Sequence, residues 1–433
     1  MLKAICLSNA FSRCAHTVLL AALLSFSHAA YAEQAPQKEE PPSKEAFAAL
    51  LKETLLKSGA KDEIQLNAAD FSMKLGERQF FLQNAFDEFV ASAPAQRGDV
   101  VIRYLHSYLK MAQDYPKTFE EAKAHIFPAV RSRAFISQSL ALIDGKAFAP
   151  VKFAHQVFAE HFAIFLEYDG KSNNEFLADD LLKSWKVDFD STLKIALENL
   201  KAKSTEEFKK LSEGAYQSPW ADKPGIARLL LDSVISAQKV KGAPVILVPN
   251  KDVLLLTGAD DEQGLAEIAK AALIAIEKSR QVCGFALKWS NGKWDLFMPP
   301  QTSAAYNDFH HLQQLYLSQI YEKQRDQLQT AYKKAGRDAV AASFEAEQNE
   351  KTKAFDSLCY WVKNAELDLP QTDRIVFEDA AIPGEGKTLG SAPWSKVVEV
   401  MGEALAPIDT YPKRFHVKTF PTAEQLKKLT LEK

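Results

Sequence analysis

The spacing of hydrophobic residues changes along the chain between the period of a helix and the period of a strand, which predicts a mixture of helices and strands. A first helix is predicted to begin at Ser43, a residue suited to the N-cap position, and to close at Gly59. Its apolar residues at helical spacing are Phe47, Leu50, Leu51 and Leu55. Short alternating runs in 64–84 then predict two strands, and residues 85–112 return to helical spacing.

The middle of the chain continues this mixture. Residues 158–170 alternate as a half-buried strand does, with Glu167 and Asp169 on the polar face, and residues 177–200 have the spacing of two helices. Residues 244–258 are two apolar runs around turn-forming residues, which predicts a strand, a turn and a strand. Asp260 and Asp261 can cap the helix that follows. Its predicted apolar stripe is Leu265, Ile268, Ala269, Ala272 and Ile276.

The clearest local signal lies in 285–298, where Asn291-Gly292 suits a two-residue type I′ turn. That register places Trp289 opposite Trp294 in a β-hairpin. Residues 304–352 contain no proline and predict a long helix broken near Gly336, and 359–379 resume alternation around a turn at Pro370.

These elements predict an α+β fold with small antiparallel or mixed sheets in two or three subdomains. The predicted organisation is a signal peptide at 1–32, a flexible charged and Pro-rich leader at 33–45, a core domain at 46–280 and an extension at 281–433. The extension contains the hairpin, the long helix and further strands.

Residues 1–32 have the features of a cleavable secretory signal peptide. Lys3 and Arg13 supply positive charge, an apolar run at 18–26 follows, and Ala30-Tyr31-Ala32 forms a small-residue cleavage motif. The apolar run is shorter than the ~20 residues that cross a bilayer, which favours cleavage over anchoring. We expect a soluble mature chain that starts at Glu33, without a membrane segment, in the periplasm or secreted.

Charge narrows the classes of partner. After cleavage the chain keeps 51 basic and 56 acidic residues, a net charge of −5 with histidines neutral. Nucleic-acid binding depends on clustered Lys and Arg, so this balance argues against a nucleic-acid partner. An envelope protein or polymer of unknown identity is the expected partner, and no cofactor is predicted.

Of the four cysteines, only Cys283 and Cys359 remain after cleavage. Two thiols in an oxidising compartment favour a disulfide, and closing a loop of this length would contribute about 4 kcal/mol in the chain-entropy model. Both residues fall on predicted strands, so their pairing is the expected arrangement, and two separate buried thiols are the alternative.

Three segments carry a family resemblance: FPAVRSRAF at 127–135, LLKSWKVDFDSTLKIALENL at 181–200 and PVILVPNKDVLLLTG at 244–258. With these segments in the matching order and spacing, the chain from Phe47 to Ala275 resembles the bacterial domain-of-unknown-function family 1444. The resemblance implies a shared fold and brings no established activity. The signal peptide and the long C-terminal part depart from the family pattern, so a cytoplasmic role of relatives would not transfer.

No motif identifies catalytic residues. AIPGEGKT at 381–388 fits a relaxed phosphate-loop pattern, yet Gly390 and Pro393 interrupt the helix that such a loop must open, so a surface loop is the expected structure. His310 and His311 are adjacent on a predicted helix and cannot both face one ion, and His155 and His161 differ in strand parity. The sequence therefore predicts no metal site.

A few residues are weaker candidates for ligand contact. Arg131 and Asp252 lie in the family-like segments. Arg131 is expected to be a surface or ion-pair cation and Asp252 a turn residue, with ligand binding as the alternative for both. Glu167 and Asp169 are either paired acids or two solvated carboxylates. Four aromatic residues either line a groove or pack in the core, the second being expected: Trp289, Trp294, Tyr360 and Trp361.

Export and the lack of a catalytic motif favour a non-catalytic binding or assembly factor of the periplasm. The alternative is an exported hydrolase acting on cell-envelope material, with residues that motifs do not detect. A third possibility is a structural interaction protein that uses the helix predicted from Ala304.

Overall fold

The computed structural model describes residues 42–58, 60, 63–75, 78–110, 116–136, 153–170, 174–278, 280–348, 354–380, 382 and 384–430. The predicted signal peptide and residues 33–41 of the predicted leader lie outside these residues. The chain divides into two compact units, one ending at Leu105 and one beginning at His106.

The first unit combines helices with a three-stranded antiparallel sheet. Its elements are α1 (Lys44–Lys57), β1 (Ile64–Asn67), β2 (Ser72–Leu75), β3 (Arg78–Phe81), α2 (Gln83–Ala91) and the start of α3 (Arg97–Lys110). The side chain of Ser43 caps α1 by accepting a hydrogen bond from the Ala46 amide, as predicted. Leu50 differs from the prediction, because it is 40% exposed while Leu51 and Leu55 are buried. Three strands form where two were predicted.

The second unit opens with a small antiparallel sheet. After the short helix α4 (Phe119–Ala122) come β4 (Ile126–Ser132), β5 (His155–Phe158), β6 (Phe162–Asp169) and β7 (Asn174–Phe176). β6 lies between β4 and β5, and β7 pairs with it. The prediction that 158–170 form a half-buried strand is wrong for β6, which is buried on both faces. Phe135 and Phe176 cover the face predicted to be polar, with ring centroids 5.4 Å and 5.0 Å from that of Phe165.

The two helices predicted in 177–200 are confirmed as α5 (Asp179–Ser184) and α6 (Phe189–Ala202). The strands β8 (Lys209–Ser212) and β9 (Ala215–Gln217) follow, then the short helix α7 (Asp232–Ser236). β10 (Pro244–Asn250) and β11 (Val253–Gly258) form the predicted strand, turn and strand. Asp261 caps α8 (Glu262–Ile276), and all five residues of its predicted stripe are buried.

The hairpin of β12 (Ala286–Ser290) and β13 (Lys293–Phe297) has the predicted register, with Trp289 opposite Trp294. It completes a six-stranded sheet in the order β13-β12-β10-β11-β9-β8, so one sheet takes strands from both sides of residue 280. Cys283 lies just before β12 and not on a strand, which corrects its predicted placement.

The long helix α9 spans Tyr306–Ala335 and ends where Gly336 adopts the left-handed conformation, with φ of 63°. The prediction of further helix beyond this glycine is wrong. Residues 340–341 and 345–348 form strands instead, because each pairs with a strand that the sequence supplies later.

The C-terminal part builds two more four-stranded sheets. The first is β15-β16-β18-β19 and the second is β14-β17-β21-β20. The strands are β14 (Val340–Ala341), β15 (Glu345–Gln348), β16 (Phe355–Val362), β17 (Leu367–Pro370), β18 (Arg374–Asp379), β19 (Lys387–Pro393), β20 (Ala406–Ile408) and β21 (Arg414–Val417). The helices α10 (Trp394–Met401) and α11 (Ala423–Leu429) complete the chain. The fold is α+β, as predicted.

No helix in the described part of the chain is both long enough and apolar enough to span a bilayer.

Candidate functional site

Three basic residues from separate segments converge in the second unit, and we call Arg131, Lys251 and Arg280 the cationic cluster. Arg131 lies near the end of β4, Lys251 in the turn between β10 and β11, and Arg280 shortly after α8. The Lys251 amide donates a hydrogen bond of 3.0 Å to the Arg280 carbonyl, which fixes these two segments side by side. The side chains of Arg131 and Lys251 are 22% and 26% exposed, so both are only partly hydrated.

Two carboxylates lie among these cations. The nearest Arg131 nitrogen is 3.9 Å from Glu167 Oε1, and the Lys251 Nζ is 3.6 Å from Asp252 Oδ1. Glu167 is 8% exposed, so the prediction of a solvated carboxylate is wrong for it. Arg280 is exposed and has no ion-pair partner among the described carboxylates. The cluster therefore has more positive than negative charge.

The charges of the cluster act on one another. Burial lowers the pKa of Arg131, the Glu167 carboxylate raises it, and the Arg280 charge lowers it further. Burial also lowers the pKa of Lys251, and Arg280 is the next contributor in the same direction. An anion bound here would relieve this repulsion, because an opposite charge favours the ionised form of both side chains.

The remaining predicted acid, Asp169, belongs to a different group of charges. Its carboxylate lies 3.8 Å from the Lys203 Nζ and 3.6 Å from the Lys223 Nζ. Glu167 instead faces Arg131, so the two acids of β6 do not form one acidic pair. Partly exposed ion pairs of this kind contribute little to stability.

The phosphate-loop-like segment at 381–388 connects β18 to β19, two antiparallel neighbours. It opens no helix, so it lacks the row of N-terminal amides that holds a phosphate in such loops. Ala381 and Pro383 lie outside the described residues.

The four aromatic candidates do not line one groove. Trp294 is 8% exposed and Trp361 is 1% exposed, and they lie in two separate hydrophobic clusters of the second unit. Trp289 packs against Trp294, with ring centroids 5.0 Å apart, and Tyr360 lies at the edge of the other cluster. All four aromatic residues pack in a hydrophobic cluster or against its edge, which is the expected role.

Cys283 and Cys359 are free thiols in the structure, each fully buried. They lie in the same two separate clusters as the tryptophans, and each sulfur has its own polar neighbour. The Phe285 amide donates to the Cys283 Sγ at 3.4 Å, and the Thr372 hydroxyl donates to the Cys359 Sγ at 3.6 Å. The disulfide stays a prediction from the sequence.

Among the described histidines, two meet a pair of carboxylates: His310, and His416, which lies 3.2 Å from Glu366 and 2.7 Å from Asp368. His155 is on β5 and His161 in the turn before β6, so they do not share the single strand that was predicted. His310 and His311 are on α9, as predicted, and His311 stacks on Phe355 with centroids 3.5 Å apart. His310 lies with Asp356 and Asp373, and ligand atoms of these residues are within 4.8 Å of one another.

Sequence reasoning named Arg131 and Asp252 but missed Lys251 and Arg280. Lys251 is adjacent to Asp252 in the turn of the segment 244–258. Two neighbouring charged residues in one turn were the signal that could have identified it. Arg280 gives no local signal, because backbone contacts between segments distant in the sequence bring it to the turn, among them the pairing of Asn250 with Gln281.

Comparisons with family models, curated proteins and solved structures found no match to this chain. The resemblance of Phe47–Ala275 to the domain-of-unknown-function family 1444 stays a prediction.

Proposed function

We propose that this protein is an exported, non-catalytic binding protein of the periplasm, and that the cationic cluster binds the anionic group of its ligand. The observation that supports the proposal is the convergence of Arg131, Lys251 and Arg280 with only two carboxylates among them. Repulsion between like charges lowers the stability of the folded chain, and a bound anion offsets this repulsion.

The chemistry of the cluster suits a phosphate or a carboxylate. Arginine presents a planar fork of donors that matches both groups, and partial burial strengthens each charged hydrogen bond. The Arg131 guanidinium lies 5.2 Å from the ring centroid of Phe176, and this contact orients the fork. Arg280 is exposed and supplies the outer donor.

Binding is proposed over catalysis because of what these groups do at neutral pH. A guanidinium donates hydrogen bonds and holds charge, but it does not accept protons as a general base does. The two guanidiniums thus offer recognition of an anion, and Lys251 adds a third positive charge to the site.

The export part of the proposal rests on residues 1–32 and predicts a mature chain that starts at Glu33. Intact-mass analysis of protein recovered from the periplasmic fraction tests it. A mass that begins at Glu33 supports export, and a full-length mass recovered from the cytoplasm contradicts it.

Ligand binding is tested by calorimetric titration of the mature chain with inorganic phosphate and, separately, with acetate. We expect Arg280→Gln and Lys251→Gln to weaken the binding seen in the parent protein by about tenfold or more, since hydrogen bonds to charged groups contribute on the order of 1.5–3 kcal/mol. Raising the salt concentration should weaken binding as well, because the interaction is between charges.

The matched control is Lys293→Gln. Lys293 is an exposed lysine in a strand of the hairpin and pairs with Asp295 at 3.0 Å, so its loss removes the same charge at another place. Binding equal to that of the parent is expected for this control. Absence of binding to both anions, or equal weakening by all three substitutions, would contradict the proposed site.

A further inference from the structure

A second group of polar side chains, remote in sequence from the cationic cluster, joins α9 to two strands of the C-terminal part. We call His310, Asp356, Asp373 and Gln314 the His310 cluster. His310 and Gln314 are one turn apart on α9, Asp356 is at the start of β16, and Asp373 immediately precedes β18. His310 Nε2 lies 3.4 Å from Asp373 Oδ1, and a ligand atom of Asp356 completes a set within 4.8 Å.

The carboxylate of Asp373 is held in one orientation. Its Oδ2 accepts hydrogen bonds from the Ser357 amide at 2.7 Å and from the Ser357 hydroxyl at 2.8 Å. These bonds occupy Oδ2 and leave Oδ1 facing His310. Ser357 is 2% exposed and bonds to Asp373 and not to His310, so this group is not a serine nucleophile with its base.

Gln314 supplies the second observation that points to a ligand. It is 3% exposed, and its Nε2 lies 3.0 Å from both His310 Nε2 and Asp373 Oδ2. Its Oε1 is buried and has no hydrogen-bond partner among the described residues. A buried carbonyl oxygen without a partner costs free energy, and here it belongs to an amide that touches two members of the cluster.

The Nε2 atom of His310 is the ring nitrogen that faces the cluster, because it lies 3.0 Å from Gln314 Nε2 and 3.4 Å from Asp373 Oδ1. With its proton on Nδ1, the neutral ring presents the Nε2 lone pair to the cluster, which is the form in which histidine binds a metal.

His310 Nε2 thus faces the Oδ1 of a carboxylate, with a second carboxylate nearby. A cation placed between these atoms is attracted by both carboxylate charges. Gln314 neutralises the arrangement only in part, because a neutral amide proton carries a small charge.

We propose that the His310 cluster binds a divalent transition-metal ion of the zinc class through His310 Nε2 and the carboxylates of Asp356 and Asp373. Rotation of the Gln314 amide then brings its unpartnered Oε1 toward the ion. Imidazole nitrogen with carboxylate oxygen is a donor set that zinc accepts, whereas magnesium prefers oxygen alone. The ion would join α9 to β16 and to the segment before β18.

Calorimetric titration of the EDTA-treated mature chain with zinc chloride tests the proposal. We expect one zinc ion per chain, and at least about tenfold weaker binding in Asp356→Asn, which removes one ligand charge. Asp356 is exposed, so this variant is expected to fold even if His310→Gln does not. A parallel titration with magnesium chloride should give much weaker binding.

The matched control is Asp326→Asn, which removes an exposed carboxylate from the same helix α9 outside the cluster. Binding as in the parent is expected for this control. The proposal is overturned if the parent binds no zinc, if Asp356→Asn binds zinc as the parent does, or if magnesium binds as tightly as zinc. The residues tested are separate from the cationic cluster, so the two proposals fail independently.

Discussion

The imidazole ring of His161 lies against the phenyl ring of Phe285, with centroids 3.7 Å apart and ring planes 16° from parallel. Its Nδ1 is 2.7 Å from the Tyr411 hydroxyl, which in turn lies 3.0 Å from the Tyr316 hydroxyl. His161 is 7% exposed, and the positive charge of Arg133 is close by. Burial, and then the Arg133 charge, lower the pKa of His161 to about 3.

This buried histidine predicts a loss of stability in mild acid. In the unfolded chain a histidine binds a proton near pH 6.5, whereas folded His161 stays neutral down to about pH 3. The unfolded state therefore gains the proton first, and stability is retained above pH 6.5 and falls as the pH falls through this window. The expected loss from this group at pH 5 is about 2 kcal/mol, at 1.4 kcal/mol per pH unit.

Urea unfolding of the parent and of His161→Gln at a series of pH values between about 7 and 5 measures this effect. The variant is expected to be less stable at pH 7, because it loses the stacking on Phe285, but to depend less on pH by about one proton. Identical pH dependence in both proteins would show that His161 binds its proton over the same pH range in the folded and unfolded states, which would contradict the lowered pKa.

The elements that were predicted correctly from the sequence are those whose signal lies within a few residues of the element itself. The hairpin at 285–298 and the Asp261 cap were predicted because their signals are local: a turn dipeptide in one case, and a short acidic residue before an apolar stripe in the other. The strands after Gly336 were missed because their partners are later strands, and helix-favouring composition alone does not reveal them. The cationic cluster was found only through Arg131 and the His310 cluster only through His310. The members of each cluster come from segments that are far apart in the sequence.

The hairpin turn offers a test of local conformational preference. Asn291 and Gly292 have φ values of 52° and 79°, as the type I′ turn requires. A Cβ added at Gly292 would meet no atom within 4 Å, so the cost of Gly292→Ala is conformational and not steric. We expect destabilisation of about 1–2 kcal/mol, the cost of a left-handed alanine.

The matched control for this turn is Gly402→Ala. A Cβ added at Gly402 would also meet no atom within 4 Å, but the backbone there is right-handed helical, with φ of −50°. Alanine at that position should be neutral or stabilising by up to about 1 kcal/mol. Thermal unfolding followed by tryptophan fluorescence compares the two variants, and an equal effect of both would contradict the conformational explanation.

A buried arginine on β21 joins the sheet β14-β17-β21-β20 to α9. Arg414 is fully buried and donates from Nε to Gln324 Oε1 at 2.6 Å and from Nη1 to the Ala342 carbonyl at 2.7 Å. Burial lowers its pKa to about 10, so it stays charged at neutral pH. Arg414→Met leaves these acceptors without a donor, and we expect a loss of about 3–5 kcal/mol.

Lys413→Met is the control for Arg414, because it removes a neighbouring charge that is exposed. A change within about 0.5 kcal/mol is expected for this surface substitution. Urea unfolding followed by circular dichroism measures both variants. Similar small effects of the two substitutions would show that the hydrogen bonds of Arg414 contribute little net stability.

The structure has Cys283 and Cys359 as free thiols, whereas the sequence predicts a disulfide between them. Burial raises the pKa of the Cys359 thiol to about 12 and raises that of Cys283 as well, so neither is a thiolate at pH 8. The thiolate is the reactive form, and we therefore expect no reaction of the folded mature chain with a thiol reagent. After unfolding without reductant, two thiols per chain should react if both are free, as the structure has them. If none reacts until a reductant is added, the bridge between Cys283 and Cys359 is present, and their two hydrophobic clusters must approach one another to form it.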